Sequence, residues 1–78
     1  MNVGTAIEQL ETSLYNEAAA FRSASLMGDV TLAIIHMNTA ASVHGRLTQF
    51  MSWSKAGKIW SQAFSEDSLP KNQQGVNV

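Results

Sequence analysis

Apolar side chains recur along the first part of the chain with the period of an α-helix. Ile7, Leu10, Leu14, Ala18 and Phe21 follow one another at intervals of three, four, four and three, which places them on one stripe of a 3.6-residue turn. Glu8, Glu11, Asn16 and Arg22 mostly fall elsewhere. The run Glu17-Ala18-Ala19-Ala20 consists of strong helix formers without a β-branched residue, so a strand has little to recommend it here. Upstream, Thr5-Ala6-Ile7-Glu8 fits the capping box, in which the hydroxyl accepts from the amide three residues on and the carboxylate reaches back. The pattern predicts a first helix over about 5–27.

Gly28 can take the left-handed conformation that closes a helix, and Asp29 is a good cap for the next one. A second stripe then runs through Ala33, Met37, Ala40, Val43 or His44, Leu47, and Phe50 or Met51, predicting a helix over about 30–51. So short a link makes the two helices antiparallel neighbours. Small residues dominate the middle of the second helix, and Ala40, Ala41 and Gly45 are expected to let another backbone come close. Trp53, Ala56 or Gly57, Trp60 and Phe64 continue the helical spacing, while Ser54 is also able to cap a separate element. Gly57 costs about 1 kcal/mol relative to Ala inside a helix. The expectation is a bend or break near 52–54, with a third helix or an extension of the second over about 54–64. These elements make one domain, 1–64. From Ser65 to Val78 the composition turns polar, with Pro70 and the run Lys71-Asn72-Gln73-Gln74-Gly75, the mark of a flexible tail that is disordered or ordered by a partner.

Charge sharpens this picture. The first thirty residues set Glu8, Glu11, Glu17 and Asp29 against Arg22 alone, whereas no acidic residue lies between Asp29 and Glu66, and Arg46, Lys55 and Lys58 fall in that span. An acidic segment followed by a basic one suits two helices folded back on each other. If the bend centres between Gly28 and Asp29, facing residues have numbers summing to about 57, which brings Glu11 near Arg46 and Glu8 near Gln49. Exposed pairs of this kind contribute only ~0.2–1 kcal/mol. Burial must therefore hold the helices together, and the charges choose the register.

The apolar residues exceed what one hairpin shelters. Phe21, Leu26 and Met27 lie beyond a single stripe, and Ile34 and Ile35 occupy two adjacent faces of the second helix, so they need a further surface. Pairing two hairpins supplies one. The fold class expected is all-α: an antiparallel helical hairpin that forms a homodimer resembling a four-helix bundle, with Phe21, Leu26, Ile34, Ile35, Met37 and Ala41 at the dimer interface. Size and composition agree with this. A 78-residue chain has a marginal core of its own. Charged residues are 14% of the whole and the formal net charge is -1, which gives little electrostatic resistance to association.

Several chemistries find no support. The chain has no cysteine, which removes disulfides, thiolate nucleophiles and cysteine-ligated metal. Gly4, Thr5, Glu8 and Gln9 interrupt any apolar run of a signal-peptide kind. The longest apolar stretch, Leu32 to Ile35, is four residues, against ~18 or more for a membrane span. Cytoplasm is the default expectation. His36 and His44 stand eight apart, about 80° around a helix, without an acidic residue within six positions, a poor arrangement for metal compared with ligands at i and i+4. A polar histidine at a helix flank or interface is the simpler reading. Glu8 and Glu11 suit the first turns of a helix, where the dipole favours negative charge, better than a hydrolytic pair, which needs a cleft. Nucleophile-elbow and phosphate-loop motifs are missing. No cofactor, no metal and no enzymatic activity are expected.

The most distinctive local composition runs from Phe50 to Trp60, with both tryptophans, a phenylalanine, Met51, Lys55 and Lys58. It reads as an apolar edge of the core, as a protein-binding anchor, since Trp is enriched among binding hot spots and Met adapts to partners, or as a membrane-surface or nucleic-acid contact. The expected function is a small non-enzymatic module that binds another protein as adaptor, chaperone or inhibitor, through Phe50, Met51, Trp53, Lys55, Lys58, Trp60 and Phe64. The alternative is a small dimeric nucleic-acid-binding regulator using Arg46, Lys55 and Lys58, which steep weakening with salt would reveal. A third is a structural subunit of a larger assembly.

Overall fold

The structure, a computed structural model, describes residues 2–65. These form three helices, α1 (Val3–Leu26), α2 (Val30–Leu47) and α3 (Trp53–Phe64), and no strand occurs among the described residues. The tail expected over 65–78 lies, beyond Ser65, outside them.

Each helix starts and stops for a local reason, and three of these points differ from the sequence expectation. α1 begins earlier than Thr5. Asn2 is the cap, with its Oδ1 accepting from the Thr5 amide at 2.8 Å, and its carbonyl accepts from Ala6 at 3.2 Å. Asn caps at least as well as Thr, and the earlier start gains a further helical hydrogen bond. At the other end, Gly28 adopts φ +75°, the Gly28 amide donates to Ser25 at 3.1 Å and the Asp29 amide donates to Ala24 at 2.9 Å. This is the Schellman closure. Asp29 at once caps α2, its Oδ1 accepting from the Leu32 amide at 3.0 Å.

α2 ends at Leu47, short of the expected Met51. The Thr48 hydroxyl donates to the Gly45 carbonyl at 2.6 Å, and the Gln49 and Phe50 amides turn to the Arg46 and Leu47 carbonyls at 3.1 and 2.9 Å. These i−3 bonds tighten the last turn and lead the chain out of the helix. α3 is then a separate helix capped by Ser52 rather than Ser54, with Ser52 Oγ accepting from the Lys55 amide at 3.2 Å.

α1 and α2 pack closely as a hairpin, and α3 lies chiefly against α1 with a smaller contact on α2. The core is Leu14, Ala18, Ala40, Leu47, Ala56 and Ala63, surrounded by Ile7, Leu10, Tyr15, Val43, Met51, Ile59, Trp60 and Phe64. Alanines from all three helices bring the backbones near, and Leu14 and Leu47 are the large side chains fully enclosed. Of the small residues expected at a close crossing, Ala40 is buried, but Ala41 and Gly45 face outward. A Cβ built on Gly45 meets no atom within 4 Å.

Polar contacts tie the helices laterally. Arg22 of α1 donates through Nη1 to the carbonyls of Ala63 and Ser65 at 3.1 and 3.2 Å. A cation thus sits on the C-terminal carbonyls of α3, where the helix dipole favours it. Tyr15 donates to Gln62 Oε1 at 3.3 Å. Across the hairpin, Glu17 pairs with His36. The expected Glu11 with Arg46 pair is not made; Arg46 instead borders a groove with Leu10 and Gln49. Among the described residues no helix is long and apolar enough to cross a membrane.

Candidate binding surfaces

A row of aromatic rings runs across all three helices. His44 of α2 meets Trp60 edge-on at a centroid distance of 5.3 Å and Trp53 at 5.7 Å. Trp60 lies tilted on Phe64 at 4.4 Å, and Phe64 meets Phe21 of α1 edge-on at 5.8 Å. Edge-to-face pairs of this kind contribute ~0.5–1.5 kcal/mol each beyond their burial. His44 Nε2 is enclosed and makes no hydrogen bond among the described residues, so its surroundings are the indole rings rather than water.

This row separates the two tryptophans. Trp60 is half-buried and packs on the core, as do Phe64 and Met51. Trp53, at the first turn of α3, is 74% exposed, with Phe50 before it 41% exposed and Lys55 and Lys58 exposed beyond it. The segment from Phe50 to Phe64 is thus both core edge and outer surface, divided residue by residue. Ala56, Ala63 and Ile59 turn inward, and Trp53 shares a stripe with Trp60 and Phe64 but stands at the first turn of α3, beyond the part of the helix that packs on the core.

The residues expected at a dimer interface divide in the same way. Leu26, Ile34, Ile35 and Ala41 are exposed, whereas Phe21 and Met37 are half-buried in the chain's own packing, Phe21 by its contact with Phe64. Leu26, Met27 and Val30 at the bend are also exposed. At the opposite end, an open groove of about 510 Å³ is bordered by Leu10, Arg46, Gln49 and Phe50.

Among the described residues, one pair of titratable groups is brought together across the hairpin. His36 Nδ1 lies 2.9 Å from Glu17 Oε2, with side chains 25% and 21% exposed. Reading only the sequence neighbours of His36 missed this pair, because its carboxylate comes from the facing helix. Hairpin register gave a partial signal: 17 and 36 sum to 53, one helical turn from the facing sum of about 57. Nothing comparable announced the contact of Arg22 with α3, which depends on where the third helix docks. Among the described residues no group of three or more His, Cys, Asp or Glu side chains could hold a metal ion.

Fold and surfaces together define a small all-helical protein built on an α1–α2 hairpin. No protein-family model, no curated protein and no solved structure matches this chain.

Proposed function

We propose that this chain is a small non-enzymatic module, homodimeric, that binds another protein as adaptor, chaperone or inhibitor. The observation that supports this reading is the exposed indole of Trp53, 74% exposed and braced edge-on by His44. A large amphipathic ring held in place by its neighbour loses little further freedom on binding, which is what makes Trp a frequent hot spot. Phe50 adds a second exposed ring, and Lys55 and Lys58 supply a cationic rim. Trp60 belongs to the packing that presents Trp53.

Affinity capture from host cells, comparing the wild-type chain with Trp53→Ala, tests the reading. Loss of an anchor worth about 2 kcal/mol or more lowers capture roughly thirtyfold, with far-UV circular dichroism unchanged and stability lowered only by the lost edge contact to His44, about 0.5–1.5 kcal/mol. Undiminished capture by Trp53→Ala overturns it. Capture that collapses between low and moderate salt and contains nucleic acid instead favours the alternative through Arg46, Lys55 and Lys58.

A further inference from the structure

The outward face of α2 is self-complementary, and we propose that it pairs with the same face of a second copy, antiparallel, about a two-fold axis through Asn38. This rests on the homodimeric part of the function proposed above and assigns its geometry. Thr31, Ile34, Asn38, Ala41, Ser42 and Gly45 are all exposed. They span an arc of roughly 100° on a helix of 3.6 residues per turn, and Ile35 borders it. The bulk is unevenly distributed along this face. Its first half carries Ile34 and Ile35, 55% and 52% exposed; its second half carries Ala41, Ser42 and Gly45, and the space around Gly45 is empty to 4 Å.

Turning a second α2 end for end about Asn38 sets Ile34 over Ser42, Ile35 over Ala41 and Thr31 over Gly45, large side chains against small ones on both sides of the axis. Gly45 and Ala41 allow that close approach, which nothing inside the chain uses. Between Asp29 and Arg46 the helix carries no Asp, Glu, Lys or Arg, so an antiparallel copy buries no charge along the middle of this face. A parallel pair would instead stack Ile on Ile and Gly on Gly.

At the axis Asn38 meets its own copy. A carboxamide carries both donor and acceptor, so two of them satisfy each other by symmetry. A slip sets each carboxamide against an apolar side chain or a single hydroxyl of Thr31 or Ser42 instead, a poorer match that favours this register. A second copy is therefore a better occupant than an unrelated helix, which would find no charge to pair with along the middle of this face and no matching halves.

The absence of native cysteine makes the register directly readable. Ile34→Cys and Ser42→Cys variants, each of the full chain, are incubated separately and then mixed under a glutathione redox buffer. The mixture is expected to form the disulfide-linked dimer while neither variant alone does so, since like positions lie about 12 Å apart along the axis, beyond the span of a disulfide. Sedimentation equilibrium of the wild type is expected to show a dimer at micromolar concentration, and Ile34→Glu to weaken it at least tenfold with helicity retained. Self-linking by either single variant, or a wild-type dimer without linkage in the mixture, overturns this register but leaves dimerisation standing. A wild-type monomer overturns both, and the Trp53 binding surface is then judged by capture alone.

Discussion

Leu47→Ala is the sharpest test of the core. Leu47 and Leu14 are the large side chains fully enclosed, and both pack among alanines from three helices. Truncating Leu47 removes its transfer free energy and leaves a cavity that alanine methyls, already in backbone contact, cannot move to fill. Leu→Ala in such sites costs about 2–5 kcal/mol, and how far Met51 and Leu10 at the edge of the core lean into the space sets the value within that range. At ~0.05–0.15 kcal/mol per residue, a 78-residue chain has ~4–12 kcal/mol in all, so this substitution removes about a sixth of it or more. Urea unfolding followed by far-UV circular dichroism at one fixed protein concentration reads the loss as a lower midpoint with an unchanged slope. Leu47→Met, which keeps the volume, costs less than about 1.5 kcal/mol. A Leu47→Ala variant within about 0.5 kcal/mol of wild type would refute the enclosed position of this residue and the alanine-lined core with it.

Arg22→Ala frees the C-terminal carbonyls of α3 from their cation and lowers stability by about 1–3 kcal/mol; hydrogen exchange is expected to quicken in α3 more than in α2, and equal change in both would contradict the contact. Gly28→Ala forces a side chain into φ +75°, where open space around it leaves the backbone penalty of about 1–2 kcal/mol as the whole effect, seen as a lower thermal midpoint. Gly57→Ala acts in the opposite direction: its Cβ meets no atom within 4 Å, so the better helix former raises stability by about 0.5–1 kcal/mol. A destabilised Gly57→Ala protein would mean that a neighbouring element packs against α3 at Gly57.

Patterns within a single helix were legible and patterns between helices were only partly so. The stripe from Ile7 to Phe21, the Gly28-Asp29 reversal and the alternation of acidic and basic segments depend on neighbours a few residues apart, and they yielded the hairpin. Helix ends were less legible, because caps compete: Asn2 and Thr5, or Ser52 and Ser54, carry equivalent chemistry, and the winner is decided by which start adds hydrogen bonds. The site was split for a similar reason. Composition marked Phe50 to Phe64 as unusual, but which tryptophan lies outside follows from the docking angle of α3 on α1, fixed by Ala56, Ala63 and the cation of Arg22. Gly45 shows the converse. Its size suggested close packing inside the hairpin, yet the hairpin uses Ala40 instead.

The distribution of burial makes concentration the decisive variable. Among the described residues six of the eight buried apolar residues are alanines, while nine large apolar side chains are exposed, six of them from Leu26 to Ile35. Burying a large side chain contributes ~1.5–3 kcal/mol, so the greatest unused stabilisation of this chain lies along the bend and the start of α2, where the proposed pairing covers Ile34 and Ile35. If folded chains associate and unfolded ones do not, mass action links stability to concentration. Each tenfold increase adds about 1.4 kcal/mol per dimer, or about 0.7 kcal/mol per chain, and for a chain of this size that moves the thermal midpoint upward by about 3–6 °C. Ile34→Glu shifts the onset of the dependence to at least tenfold higher concentration and Trp53→Ala leaves it in place, since only the first lies on the pairing face. A wild-type midpoint that stays fixed over a hundredfold range of concentration would show that the hairpin tolerates its exposed apolar face alone.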